Sequence, residues 1–308
     1  MFETLKYRSS NGREIICADV ITPPEGMMPQ GIVQIVHGMC EHIGRYHDFM
    51  QFLAEHGYVV CAHDQIGHGR SAAVNGTGYF APKGGWDCLV RAVRQLPILI
   101  RGRFPSLPVY LFGHSMGSFV SREYITRYKD LDGVILSGTG GSNPSAGAMA
   151  AVIRGMIPLK GEKFRSDWIN DKMFGGFNQA FPEEESPFAW LTRDAAEVAK
   201  YEADPQCGFV FTLSGYADLM TLIGRVSGEK WAKRVPVELP VYLFSGSCDP
   251  VGGMGKGGRE VTNLLRQRGL HHLKMKLYPE GRHEMLNELC RQEVYDDVLA
   301  WLSRQKKV

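Results

Sequence analysis

Near the start of the chain two short runs of alternating apolar and polar residues, ETLKYRS and REIICADV, flank Asn11-Gly12. Alternation with period two marks strands with one covered face, and Asn-Gly tolerates the positive φ angles of a tight turn. The pattern predicts an N-terminal antiparallel hairpin. After a Pro-, Gly- and Met-bearing linker at 23–30, the runs become almost continuously apolar: GIVQIVHG (31–38), YVVCAHD (58–64), LPVYLFGHS (107–115), LDGVILSG (131–138), LPVYLFSG (239–246) and LHHLKMKLYPEG (270–281). Runs this short and apolar suit strands covered on both faces. Helix-like segments at 44–56, 86–103, 116–128, 256–268 and 284–303 separate or follow them. Strand and helix in alternation predict an α/β class with a mostly parallel sheet and right-handed crossovers.

The rhythm breaks between Ser137 and Leu239, where no comparable strand run occurs and Met, Phe and Trp are frequent (Met149, Met156, Phe164, Trp168, Met173, Phe174, Phe177, Phe181, Phe188, Trp190). We expect a mainly helical insertion over 141–235, dividing a core made of 1–140 and 236–308. Most of its large apolar side chains are expected to form its own small core and a minority to line a pocket.

Composition narrows the classes of function. With 308 residues, 44% hydrophobic and 22% charged, the chain can bury a substantial core. A formal charge of +2 is too small for a nucleic-acid footprint, so no such partner is expected. Seven scattered cysteines without a CxxC pair suggest reduced thiols and a cytoplasmic location. The N-terminus lacks the apolar segment of a secretion signal, and the softest stretch, Ala146 to Leu159, is interrupted by Arg154 and is shorter than the about 20 residues that span a bilayer.

Gly113-His114-Ser115-Met116-Gly117 is a GxSxG motif. The bare pattern is weak, but here VYLF precedes it as a strand and SFVSREYITRY follows it as a helix, the setting a nucleophile elbow requires. A serine hydroxyl needs an imidazole to take its proton and a carboxylate to orient that imidazole. In a parallel sheet such groups gather beyond the carboxyl ends of strands. After Ser115, Asp249 is the acid that closely follows a strong strand, in LPVYLFSGSCDPV. Of the histidines after it, His271 and His272 sit at the entry to the last strand, while His283 lies just past its exit in YPEGRHEMLNE. Acyl transfer also needs two donors for the developing oxyanion. The backbone N–H groups of Met116, after the nucleophile, and Met39, after His37-Gly38, are the candidates.

HGMCEHIGRY, DQIGHGRS, GHSMG, SGSCDPV and YPEGRHEMLNE, in this order, resemble the monoacylglycerol lipase and lysophospholipase branch of the α/β-hydrolase superfamily, over the whole chain. The resemblance implies an α/β-hydrolase fold with a helical cap and a serine carboxylester hydrolase without cofactor or metal. It implies action on a single-chain lipid ester through an acyl-enzyme, with Ser115 as nucleophile, Asp249 as acid, His283 as base, and Met39 and Met116 as oxyanion donors. Met39-Cys40 replaces the small pair usual after the HG, and Ser118 the common third glycine after the nucleophile.

Other residues read as structural. Glu41 and Arg45, at i,i+4 spacing, are expected to pair. Asp64, His68, Arg70 and Ser71 are expected to shape a loop. A metal reading of His37, Cys40 and His42 is disfavoured by their placement at a buried strand end. Two rival functions stay open: a serine aminopeptidase holding an amino terminus with Glu183-Glu184-Glu185, and a non-catalytic ligand-binding relative. Contact of the cap with a membrane surface through Met149, Val152, Ile153, Met156 and Ile157 would add to catalysis.

Overall fold

The structure, a computed structural model, describes residues 1–305; residues 306–308, the end of the expected second core segment, lie outside the described residues. One sheet holds β1 (Phe2–Arg8), β2 (Ile15–Ile21), β3 (Gly31–Val36), β4 (Tyr58–His63), β5 (Val109–His114), β6 (Gly133–Ser137), β7 (Val241–Gly246) and β8 (Leu273–Tyr278). Their spatial order is β1-β2-β4-β3-β5-β6-β7-β8. The pairs β1/β2 and β2/β4 are antiparallel, and all later neighbours are parallel, as the apolar runs predict.

The helices are α1 (His47–Glu55), α2 (Gly85–Arg103), α3 (Met116–Tyr124), α4 (Ala146–Lys160), α5 (Asp167–Phe174), α6 (Ala195–Ala203), α7 (Leu213–Arg225), α8 (Gly228–Ala232), α9 (Lys256–Arg268) and α10 (Arg291–Arg304). The central strands are buried along their whole length because helices cover both faces. Phe49 and Leu53 of α1 and Val298 and Trp301 of α10 pack with Ile35, Phe112 and Phe244 on one face. Val93 of α2, Val120 of α3 and Val261 of α9 join Leu111, Val134 and Leu243 on the other. Alternation along β5 explains the division: Phe112 points to one layer and Leu111 to the opposite one.

Between β6 and β7 lie α4 to α8, with a single isolated bridge, Arg165 with Thr212, among the described residues. Helices α4 and α7 pack on each other, and α7 also meets α2 and α3. Both junctions of this segment are tied to α3. The fully buried Arg122 donates to Thr139 Oγ1 (3.3 Å) and Gly140 O (2.8 Å) where the chain leaves β6, and to Val226 O where it returns from α7. Its neighbour Glu123, also fully buried, accepts from Arg225 (2.6 Å) and Arg234 (3.2 Å). Ser142 Oγ and Ser227 Oγ accept backbone N–H groups of Gly228 and Asn143, closing the two junctions on each other. No helix among the described residues is long and apolar enough to cross a membrane.

Two elements differ from expectation. The first pairs end at Arg8 with Ile15, so the hairpin connection is Ser9–Glu14 and not a two-residue turn. Gly12 has the positive φ (+72°), but Asn11 is diverted: its Oδ1 accepts from Ser9 Oγ (2.6 Å) and Arg13 N (2.9 Å), and its Nδ2 donates to Phe80 O (2.9 Å). The last helix begins at Arg291, not near 284; a 3-10 turn, Met285–Asn287, precedes it. The N–H of Glu284 goes to Leu191 O (2.7 Å) and its carboxylate to Arg45, so tertiary bonds override local helix propensity there.

Candidate active site

Ser115 is the single residue between β5 and α3, with φ +51° and ψ −119°. A non-glycine residue in such a conformation stores about 1–3 kcal/mol of strain and persists because its surroundings enforce it. Those surroundings need glycine on each side. A Cβ on Gly117 would lie 2.0 Å from Val36 O, and one on Gly113 2.4 Å from Ser121 Oγ and 2.5 Å from Gly117 O. The start of the helix thus packs directly against the ends of β3 and β5. As the first residue of α3, Met116 has an N–H with no intrahelical acceptor.

Asp249 follows β7 and is completely buried; its Oδ1 accepts from Val251 N (2.9 Å) and from His283 Nδ1 (3.0 Å). His283 lies on the turn between β8 and α10, only 2% exposed. Its ring packs against Gly138, at the end of β6, and against His114, with ring centroids 4.8 Å apart. Burial pushes the His283 imidazole down, but the charge and hydrogen bond of Asp249, aided by Glu284 and Glu41, outweigh it and hold the pKa above the ordinary 6.5. Burial and the adjacent His283 push His114 down to about 4, so it stays neutral. Ser115 and His283 border the same cavity; their side chains are not hydrogen-bonded to each other in this conformation, a common state of unliganded sites.

The loop after β3 faces Ser115: a Cβ on Gly38 would be 3.2 Å from Ser115 Cβ. Its shape is set by Glu41, whose Oε1 accepts from Gly38 N (2.5 Å) and Tyr46 OH (2.7 Å). Arg45 pairs with Glu41 (2.9 Å), as the spacing predicts, and also makes two parallel 2.6 Å bonds to Glu284. The guanidinium thus joins this loop to the residue next to His283. Burial raises the Glu284 carboxyl, but Arg45 overcomes that and holds it at about 2. The Glu284 partnership escaped sequence reasoning. Its one signal is adjacency to His283, because 239 residues separate the pair.

Segments between β6 and β7 grip both loops. Cys40, at φ +55°, accepts through its carbonyl from Gly208 N (3.0 Å) and Tyr201 OH (2.9 Å), and its thiol donates to Phe209 O (2.8 Å). His42 Nε2 donates to Asp204 Oδ2 (2.8 Å). The residues weighed for a metal are thus engaged elsewhere, with His37 bonded to Gly38 O and Gln65 N. His42, Asp204 and Cys207 do offer atoms within 4.8 Å of one another. However, His42 Nδ1 accepts the Gly44 N–H (3.1 Å), which leaves the proton on Nε2 and no lone pair for an ion. Asp64, taking N–H groups from Ile43 and Arg70, and Ser71, taking that of Cys17, shape the neighbouring loop as expected.

A cavity of about 660 Å³ opens above Ser115, lined by Met39, Met116, Phe119, Met149, Phe174, Phe177, Trp190, Phe209, Leu219 and Met220, with Glu41, Glu284 and His283 at its polar side. Glu183, Glu184 and Glu185 do not line it, and Glu184 is bound to Arg282 (2.7 Å).

A sheet of this order, with a strained serine after β5, an acid after β7 and a histidine after β8, defines an α/β-hydrolase. The family described as "Serine aminopeptidase, S33" matches residues 27–290, and the chain belongs to it. The monoacylglycerol lipase of Mycolicibacterium smegmatis is 28% identical over 93% of this chain and 92% of its own. The monoglyceride lipase of Rattus norvegicus is 25% identical over 91% and 87%. Among solved structures, a thermostable carboxyl esterase from Bacillus coagulans in complex with glycerol superposes with a TM-score of 0.93 and 32% identity, covering 99% of each chain. The protein is an enzyme, a monoacylglycerol lipase-like serine ester hydrolase.

Proposed function

We propose that this enzyme cleaves monoacylglycerol-like or lysophospholipid-like single-chain esters through an acyl-enzyme formed on Ser115. The observation that carries the reading is His283, bonded to the buried Asp249 (3.0 Å) and bordering the same cavity as the strained Ser115. His283 takes the Ser115 proton as Oγ adds to the ester carbonyl, and Asp249 orients and stabilises the imidazolium. The N–H groups of Met39 and Met116 receive the oxyanion. His283 then returns the proton to the leaving alcohol, and a water, deprotonated by the same imidazole, releases the acid. Residues 141–235 act as the cap that encloses the acyl chain, each buried methylene contributing about 0.8 kcal/mol.

The aminopeptidase alternative lacks support in the site. The acidic run does not line the cavity, with Glu184 bound to Arg282, and Glu41 and Glu284 are committed to Arg45. The emptied-receptor alternative is disfavoured by the retained acid–base pair.

Contact with a lipid surface is part of the proposal, through residues only partly those expected from the helical pattern: of the expected set, Val152 stays exposed. Ile153 is buried and Met149 lines the cavity, whereas Val152, Leu159, Phe164 and Trp168 are exposed beside Lys160 and Lys163. Seven unpaired cysteines agree with the reducing compartment of the cytoplasm.

Ser115→Ala is the test. It keeps the fold and loses about 10⁴-fold or more in monoacylglycerol turnover; near-normal turnover by the variant would overturn the proposal.

A further inference from the structure

Glu288 is completely buried, and its carboxylate accepts four N–H groups. Oε1 takes those of Arg282 (3.0 Å) and of the Arg193 backbone (3.0 Å); Oε2 takes Arg193 Nε (3.0 Å) and Leu289 N (2.9 Å). Arg282 precedes His283, whereas Arg193 belongs to the segment between β6 and β7. One carboxylate therefore bonds the turn that carries the imidazole to the segment that covers the cavity.

The seam extends on both sides of it. His283 N and Glu284 N donate to Trp190 O (3.4 Å) and Leu191 O (2.7 Å), and Thr192 Oγ1 donates to Asn287 O (2.9 Å). The Arg282 guanidinium reaches Ala189 O (2.6 Å). The turn that precedes α10 is thus held largely by the 189–193 strap. The Glu288 side chain binds the backbone of both partners, and neither it nor Arg193 borders the cavity.

We propose that Glu288, with Arg193, is a positioning residue for the base: it sets the 282–288 turn against the strap, so that displacement of the cover and displacement of the imidazole are one movement. This rests on the reading of His283 as base. Four donors need four acceptor sites in a fixed plane, which a carboxylate supplies and a carboxamide does not, because its NH2 would face two of the N–H groups. Glu288→Gln therefore shifts the turn, while Arg193→Ala, at a half-buried site, removes only one of the strap's two bonds to the carboxylate, that from Nε.

The experiment uses two readouts on both variants. One is kcat and KM for p-nitrophenyl acetate, an ester too short to need the cover. The other is the low-field proton NMR signal of the His283 Nδ1–H bonded to Asp249, which needs no substrate. Glu288→Gln lowers kcat by about 10- to 100-fold with KM within about twofold, the size expected of an ångström-scale misplacement, and shifts or abolishes the NMR signal. Arg193→Ala changes both in the same direction by a smaller factor. If Arg193→Ala retains wild-type kcat and NMR signal, the proposal is overturned, whether or not Glu288→Gln folds. Equal loss at kcat with an unmoved NMR signal overturns it as well. Failure of the serine hydrolase reading would show separately, as activity surviving Ser115→Ala.

Discussion

Replacing Arg45 by methionine leaves two carboxylates, Glu41 and Glu284, buried beside His283 without their cation. The Glu284 carboxyl lies at about 2 in place of its ordinary 4.5. Arg45 therefore stabilises the folded chain through this carboxylate. Because the folded-state value is depressed, that stabilisation is fully present above about pH 4.5 and is lost as pH falls toward 2. Breaking a buried pair by removing one partner independently suggests about 3–5 kcal/mol. For a chain this long the change amounts to a melting temperature lower by about 6–10 °C at pH 7. Thermal and urea unfolding of Arg45→Met, measured at pH 7 and again near pH 3, should show the full loss at the higher pH and a smaller one at the lower. The double variant Arg45→Met/Glu284→Gln removes both charges of the two-bond pair and should recover part of the loss, the remainder belonging to the still unpaired Glu41. A single variant within about 1 kcal/mol of wild type at pH 7, or a double variant no better than the single, would refute the electrostatic account.

With His283 in its proposed role as base, activity should rise with pH through a value above the ordinary 6.5, since a base works in its neutral form. Glu284→Gln removes one of the charges raising that value and moves the acid limb of kcat/KM to lower pH; an unmoved or upward limb contradicts this. Asp218 of α7 is raised to about 6 by burial, although Trp86 and Gly85 N–H groups at the start of α2 hold its anion. The folded protein therefore keeps the proton longer than the unfolded chain, and stability falls by about 3 kcal/mol as pH rises from about 4 to 6. Asp218→Asn should lack that slope and exceed wild type in stability at pH 7.5; identical pH dependence in urea unfolding would show that Asp218 is not responsible. Val152→Asp/Leu159→Asp, at exposed positions of α4, should weaken binding to anionic vesicles while sparing turnover of a soluble ester, and equal vesicle binding would exclude this face as the lipid contact.

How the chain could be read in advance follows from where each signal resides. The strands showed as apolar runs because both faces are covered, and Ser115, Asp249 and His283 stood out because each follows a strand within a few residues. The long interval after β6 was recognisable by its lack of such runs. What was not legible is long-range and charged. Glu284 with Arg45, and Glu288 with Arg193, join positions far apart in the chain, and a buried carboxylate looks like any surface glutamate when its partner is unknown. The same pairs explain why the last helix begins late: 284–290 read as its first two turns, yet those residues bond sideways to the strap. Asn11-Gly12 misled in a related manner, since the asparagine serves a tertiary contact to Phe80.

Arg122 and Glu123, about two turns beyond Ser115, fasten the outgoing junction near Thr139–Gly140 and the returning one near Arg225–Val226 to the same short helix. Entry and exit are therefore pinned at a shared foundation, and the chain between them can be exchanged as a cartridge. Under the proposed function, swapping that stretch with a homologue's, leaving the two fastenings intact, would retune which acyl tails are accepted while Ser115 keeps its footing.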